Sequence, residues 1–126
     1  MEKVLDELFY DLLKHEGSVS FVSWANGDAH IVNTWNNYLH VTDDERILIP
    51  AFGFRKTEKN VNENNHVKLV VVSKQVQGAM GMGTGEYLEG TAEFKTAGPE
   101  FDLMKQRFDW MSRVVIVTPT LCKRTI

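Results

Sequence analysis

The aliphatic runs of this chain come in strand-sized pieces. Leu69-Val70-Val71-Val72 and Val114-Val115-Ile116-Val117 are contiguous, do not alternate with polar residues, and end abruptly at charge, serine or threonine. Short uniform runs suit strands covered on both faces, so residues 66–73 are expected as the central strand of a sheet and 113–119 as its last strand. Both runs fall far below the ~20 residues that a helix needs to cross a bilayer, which argues against a membrane partner.

The remaining periodicities agree with a mainly β chain. Val4, Leu5, Leu8, Phe9, Leu12 and Leu13 recur at helical spacing with Gly17 as a stop, predicting one amphipathic helix at the start. From Ser18 onward the texture is β: 18–25, the hairpin turn Asn26-Gly27, then 29–42 with a polar middle, a turn at 42–45 and a strand at 46–50. A loop over 51–55 leads to a short polar helix near Thr57. After the central strand, Gly78, Gly81, Gly83 and Gly85 form a glycine-rich loop, followed by a long strand over 86–96 in which Gly90 marks a bulge or bend. Gly98-Pro99-Glu100 has the chemistry of a helix start, and Phe101, Met104, Phe108 and Met111 give that helix an apolar stripe. Six strands joined mostly by turns, with appended helices, predict an antiparallel barrel.

Length and charge bound the function. A chain of 126 residues, 43% hydrophobic and 25% charged, has material for one core and is expected to form one domain over 1–126. Its radius of gyration should be roughly 14 Å, leaving little room for a deep private pocket, so a large ligand would use a surface cleft or one between subunits. The net charge of -3 sits wholly in residues 1–16, where Glu2, Asp6, Glu7, Asp11 and Glu16 face only Lys3 and Lys14. The balanced remainder has no basic block, which argues against nucleic acid, since phosphate neutralisation normally leaves a cationic footprint. The acidic opening does not read as a signal peptide, and a lone Cys122 cannot form an intramolecular disulfide, so a cytoplasmic setting is expected.

Few residues suggest chemistry by type alone. His15, His30, His40, His66 and Cys122 show no ligand spacing, so no metal is expected, and no Gly-x-Ser-x-Gly elbow supports a hydrolytic triad. Gly81-Met82-Gly83-Thr84-Gly85 leads into a strand instead of a helix, unlike a dinucleotide fingerprint. Arg55-Lys56-Thr57-Glu58 is more informative: two cations and a hydroxyl at a helix entry can hold a phosphate monoester, although Thr57 can equally serve as the helix cap. Asn33-Thr34-Trp35-Asn36-Asn37-Tyr38 places amides and aromatics where a strand is expected, as in the wall of a planar-ligand site or the cover of a barrel end.

Taken in order, Lys14-His15-Glu16-Gly17, Val32-Asn33-Thr34-Trp35-Asn36-Asn37-Tyr38-Leu39, Lys56-Thr57-Glu58, Gly83-Thr84-Gly85, Gly98-Pro99-Glu100-Phe101 and Phe108-Asp109-Trp110 closely resemble the small FMN-binding proteins of anaerobic bacteria. These belong to the FMN-binding split-barrel superfamily, beside pyridoxamine 5′-phosphate oxidase. The resemblance implies a six-stranded antiparallel Greek-key split barrel with appended α-helices, a homodimer, and one FMN per subunit near the interface. It assigns the phosphate to Lys56 and Thr57, with Asn33 and Thr34 near the phosphate and ribityl chain. Trp35 and Trp110 flank the isoalloxazine, Glu16 sets a negative charge near it, and Ile126 reaches the flavin of the partner. Where a glycine pair is expected before Lys56 the chain has Phe52 and Gly53; Phe52 would crowd or cap the cofactor and Arg55 would add a second cation. The function implied is redox: an electron carrier served by a partner protein, or an oxidoreductase of flavin reductase type served by a nicotinamide nucleotide. The competing expectation is a non-redox barrel that stacks a planar metabolite or single-stranded nucleic acid on Trp24, Trp35 and Trp110.

Overall fold

The computed structural model describes residues 2–126. In chain order it consists of α1 (Glu7–Leu13), β1 (Ser18–Ala25), β2 (Asp28–Trp35), a 3-10 turn (Asn36–Tyr38), β3 (His40–Val41), β4 (Ile47–Ala51), α2 (Arg55–Glu63), β5 (His66–Gln77), β6 (Met82–Lys95), α3 (Pro99–Arg107) and β7 (Arg113–Arg124). The strands form one antiparallel sheet in the order β2-β1-β5-β6-β7-β4-β3. Phe9 and Leu12 of α1 and Val61 of α2 join the main core with Val19, Phe21, Leu69, Val71, Leu88 and Val115. A second cluster lies under α3, where Met104, Phe108 and Met111 cover Leu48, Val114 and Ile116. Among the described residues no helix is long and apolar enough to cross a membrane.

The two aliphatic runs differ in their surroundings. Arg113–Val117 is buried at every position, because alternate residues of β7 feed the two clusters. In β5 burial alternates instead: Val67, Leu69, Val71 and Ser73 point inward, and Val72 remains 37% exposed. An apolar residue left open on a strand third from the edge marks a surface that a ligand or partner can cover.

The helix at the start begins later than the spacing of Val4 and Leu5 predicts. Asp6 caps it, its Oδ1 accepting from the Phe9 N–H at 3.0 Å. The N–H groups of Val4 and Leu5 donate to the buried Glu45 carboxylate, both at 2.9 Å, which ties the segment before the helix to the turn that precedes β4.

Residues 29–42, expected as one strand, divide around the 3-10 turn and so supply the seventh strand. Asn36 explains the break. Its side chain is fully buried and Nδ2 donates to the carbonyls of Leu12 (3.0 Å) and Val72 (2.9 Å), while its backbone N–H donates to Gly17. Only glycine fits beside this clamp: a Cβ on Gly17 would lie 1.8 Å from the Val72 carbonyl oxygen. At the other end, β7 continues past 119 to Arg124, with Gly90 opposite at the register shift. Residues 121–124 pair with 86–89 and carry only a weak apolar signal, Leu121 being 37% exposed and Cys122 alone packing on the main core.

Candidate functional site

The entry to α2 has the properties of an anion cradle. β4 hands the chain to Phe52-Gly53-Phe54, and Phe54 takes a left-handed conformation (φ 52°, ψ 32°) that few non-glycine residues adopt. Phe54 is the N-cap and offers no side-chain cap, so the first-turn N–H groups keep the free positive end that such helices aim at phosphate. Thr57 therefore does not cap the helix. It is the third helical residue and fully buried, and its Oγ1 has no hydrogen-bond partner. Arg55 and Lys56 beside it are exposed, and the space where Gly53 would carry a Cβ is open. Arg113 braces the loop from below: Nη1 meets Glu58 Oε1 at 2.6 Å and Nη2 donates to the Gly53 carbonyl. Among the described residues, a buried hydroxyl without a partner, uncapped N–H groups and two cations without an ion pair fit a phosphate monoester.

A second region has the walls of a planar site. An open cleft of about 780 Å³ is lined by Glu16, Trp35, Tyr38, Val72, Lys74 and Gln75, among others. The backbone of Glu16 is held to β5 from both sides, its N–H donating to Gln75 Oε1 (3.2 Å) and its carbonyl accepting from Ser73 Oγ (2.7 Å). Trp35 ends β2 and is 50% exposed. Asn33 and Thr34 precede it, Thr34 pointing inward and Asn33 sharing the outer face. Tyr38 joins this cleft to α3: its ring lies 4.9 Å from Phe108 and 5.9 Å from Trp110, which is 44% exposed. Arg107 ties the same helix back through a 3.0 Å bond to the Asn37 carbonyl.

The sequence-predicted residues thus fall into four places. Glu16 and Trp35 share the cleft, with Trp110 one ring away; Gly53, Arg55, Lys56 and Thr57 form the cradle, and none of these four lines the cleft. Asn33 and Thr34 lie on β2, which packs against α2. Ile126 lies away from the cradle but close to the cleft, because Thr84, which it contacts, pairs with the cleft-lining Ser73. Its carbonyl accepts from Thr84 Oγ1, beyond the far end of β7. Ala51 pairs with Arg113, so the cradle adjoins the start of a 12-residue strand that would span roughly 40 Å fully extended. Within one subunit Ile126 therefore lies far from Thr57. Sequence reasoning missed Tyr38, Phe54 and Arg113. Tyr38 stands in the polar-aromatic stretch that begins at Asn33, but its ring contacts come from α3; Arg113 gave no signal, because Glu58 and Gly53 are 55 and 60 positions away.

Another polar group lies at the start of α1. Asp6, Glu86 of β6 and Cys122 of β7 each present a ligand atom within 4.8 Å of the others. Burial is the main cause that pushes the Glu86 carboxyl up to about 8 and the Cys122 thiol up to about 12, with Asp6 adding next to the first and the Glu86 charge next to the second.

No protein-family model matches the chain. It is 38% identical over 123 residues to the FMN-binding protein of Nitratidesulfovibrio vulgaris (strain DSM 19637 / Miyazaki F), an alignment covering 98% of this chain and 100% of that protein. Among solved structures, a protein from Lactobacillus delbrueckii named for pyridoxamine 5′-phosphate oxidase superposes with a TM-score of 0.74 at 14% identity, over 95% of this chain and 93% of that one. An FMN-binding protein from Syntrophomonas wolfei gives 0.68 at 17% identity, over 94% and 89%. At those identities the structural likenesses establish the fold, an antiparallel split barrel whose seventh strand here is the two-residue β3.

Proposed function

This chain belongs to the small FMN-binding proteins of the split-barrel superfamily, and on that premise we propose that residues 1–126 form one FMN-binding domain that works as a redox protein in a homodimer. The observation that carries the reading is the uncapped start of α2, where Thr57 Oγ1 is buried without a partner beside Lys56 and Arg55. Burying a hydroxyl unpaired costs about 1–3 kcal/mol, so a site that keeps one there is built for an acceptor that arrives later. The terminal phosphate of FMN supplies acceptor oxygens and negative charge together.

Each remaining residue has a role that its placement supports. Lys56 and Arg55 neutralise the phosphate, and the first-turn N–H groups orient it. Asn33 and Thr34 serve the phosphate and ribityl end. Trp35 and Trp110 give half-exposed indole faces to a flat heterocycle. Glu16, pinned through its backbone to Ser73 and Gln75, holds a carboxylate near the ring and disfavours negative charge on it. Ile126 acts on the flavin of the other subunit, as the family resemblance assigns it; in its own subunit it lies beyond the far end of β7 from the cradle. FMN, when bound, supplies the electron and hydride chemistry.

A dimer is supported by what one subunit leaves bare: Ile31 (65% exposed), Trp35 and Phe52 (66% exposed) are apolar groups that a 126-residue body does not cover by itself. The test is one preparation read two ways. Absorption and fluorescence titration should show one FMN per chain, and light scattering should give twice the chain mass. A protein without a flavin spectrum, whose apo form leaves micromolar FMN fluorescence unquenched, overturns the reading. Oxidation of NADH or NADPH by the holoprotein alone identifies a reductase; turnover only with an added reductase protein identifies a carrier.

A further inference from the structure

We propose that Asp6, Glu86 and Cys122 form a binding site for one divalent ion of the zinc class, separate from the flavin site. The three residues come from the entry of α1, from β6 and from β7, and their ligand atoms lie within 4.8 Å of one another. Glu86 and Cys122 are diagonal neighbours across the β6–β7 ladder, because Glu86 pairs with Arg124 and Leu88 with Cys122. Asp6 uses Oδ1 to cap α1, which leaves Oδ2 for a second contact.

Glu86 points to a ligand independently of this clustering. Its side chain is fully buried, and among the described residues neither carboxylate oxygen has a hydrogen-bond partner outside the cluster itself, where Asp6 and Cys122 are its polar neighbours. Burial keeps this group mostly in its neutral acid form while no ion is bound, and a cation taking the place of that proton is the partner that satisfies both oxygens' charge at once. Arg124, the nearest cation acting on it, forms no ion pair among the described residues.

The donor set selects the ion. One thiolate and two carboxylates suit tetrahedral zinc-class ions, whose ligand atoms stand about 3.3–3.5 Å apart, a contraction within the reach of side-chain rotation. Calcium and magnesium are disfavoured because they take six or more oxygen ligands and no sulfur. Three protein ligands leave a fourth position for water, and Asp6 is exposed, which gives the ion a path in. On binding, Cys122 and any protonated carboxyl release protons to solvent, so the thiolate and two carboxylates balance the ion with one excess negative charge. The spacing 6, 86 and 122 matches no ligand motif, and only the fold brings the three together.

The FMN-loaded full chain, freed of metal with a chelator, is titrated with Co²⁺ as a coloured stand-in. The expected result is one equivalent bound, with intense tetrahedral ligand-field bands on the red side of the flavin absorption and a thiolate charge-transfer band in the difference spectrum, all removed by one equivalent of Zn²⁺. Cys122→Ser should abolish the charge-transfer band and weaken binding about tenfold or more, the lower end of what even indirect ligand losses cost. Asp6→Asn keeps the cap, since Asn caps as well as Asp, yet should weaken binding by a similar factor with FMN affinity unchanged. If Cys122→Ser fails to fold, Asp6→Asn alone decides the question. Weak octahedral bands, no bands, or Co²⁺ affinity untouched in Asp6→Asn would each overturn the site.

Discussion

Replacing Thr57 by valine separates two quantities that usually move together. The side chains are nearly isosteric and both β-branched, so packing in the first turn of α2 is preserved. In the ligand-free protein Thr57 Oγ1 is buried without a partner. Removing an unpaired buried hydroxyl relieves about 1–3 kcal/mol, so the apoprotein should become more stable, with Tm rising ~4 °C per kcal/mol for a domain of this size. In the FMN complex the same hydroxyl donates to a charged phosphate, an interaction of about 1.5–3 kcal/mol, and its loss should raise the FMN dissociation constant about 10- to 100-fold. Thermal unfolding of apoprotein and fluorescence titration with FMN read the two effects. A destabilised apoprotein with unchanged FMN affinity would refute the reasoning, for it would mean that Thr57 already has a partner within the protein.

Gly17→Ala should cost about 3 kcal/mol or more in urea unfolding, because its Cβ displaces the Val72 carbonyl and Asn36 Nδ2, which form a part-buried bond of 2.9 Å; a loss under ~1 kcal/mol would show that β5 relaxes freely. Arg113→Met should cost about 2–3 kcal/mol, below the value for a fully buried pair because Glu58 is 29% exposed, and should loosen the cradle loop, seen as faster amide exchange at 52–54. Lys56→Ala should weaken FMN binding and reduce its salt dependence, since an exposed cation on a phosphate is screened by ions; an unchanged salt slope would remove Lys56 from the phosphate. Glu16→Gln should raise the reduction potential of bound FMN, read by redox titration, because one negative charge near the ring is removed; a fall would exclude Glu16 from that role.

How much of this was legible beforehand depended on how local the cause was. The β1 strand, the Asn26-Gly27 turn, with φ of 54° and 77°, the Pro99 helix start and the Gly90 bulge all follow from residues adjacent in sequence. The early end of β2 was not legible, because Asn36 is held by carbonyls 24 and 36 positions away. The same limit applies to function. Lys56 and Thr57 could be picked out by type, yet whether Thr57 capped the helix or waited for a ligand turned on the backbone of Phe54, a residue with no sequence signal for φ 52°.

Gly17 and Asn36 organise the cleft. The Asn36 amide fastens α1 to β5 and ends β2, so that Trp35 and Tyr38 emerge where Glu16 is held against Ser73 and Gln75. The polar residues that looked misplaced in a strand are therefore the device that stops it. Burial of Asn36 leaves its Oδ1 without a partner among the described residues, and here, unlike at Thr57, what offsets the unpaired atom is the geometry that the two Nδ2 bonds enforce. An Asn36→Asp variant tests this link, since it removes both donors while keeping the shape. Because it places a carboxylate against two carbonyls, it should disrupt the cleft and unfold the protein at lower urea than Gly17→Ala does. Retention of native stability and of Trp35 fluorescence would show that β2 ends there for another reason.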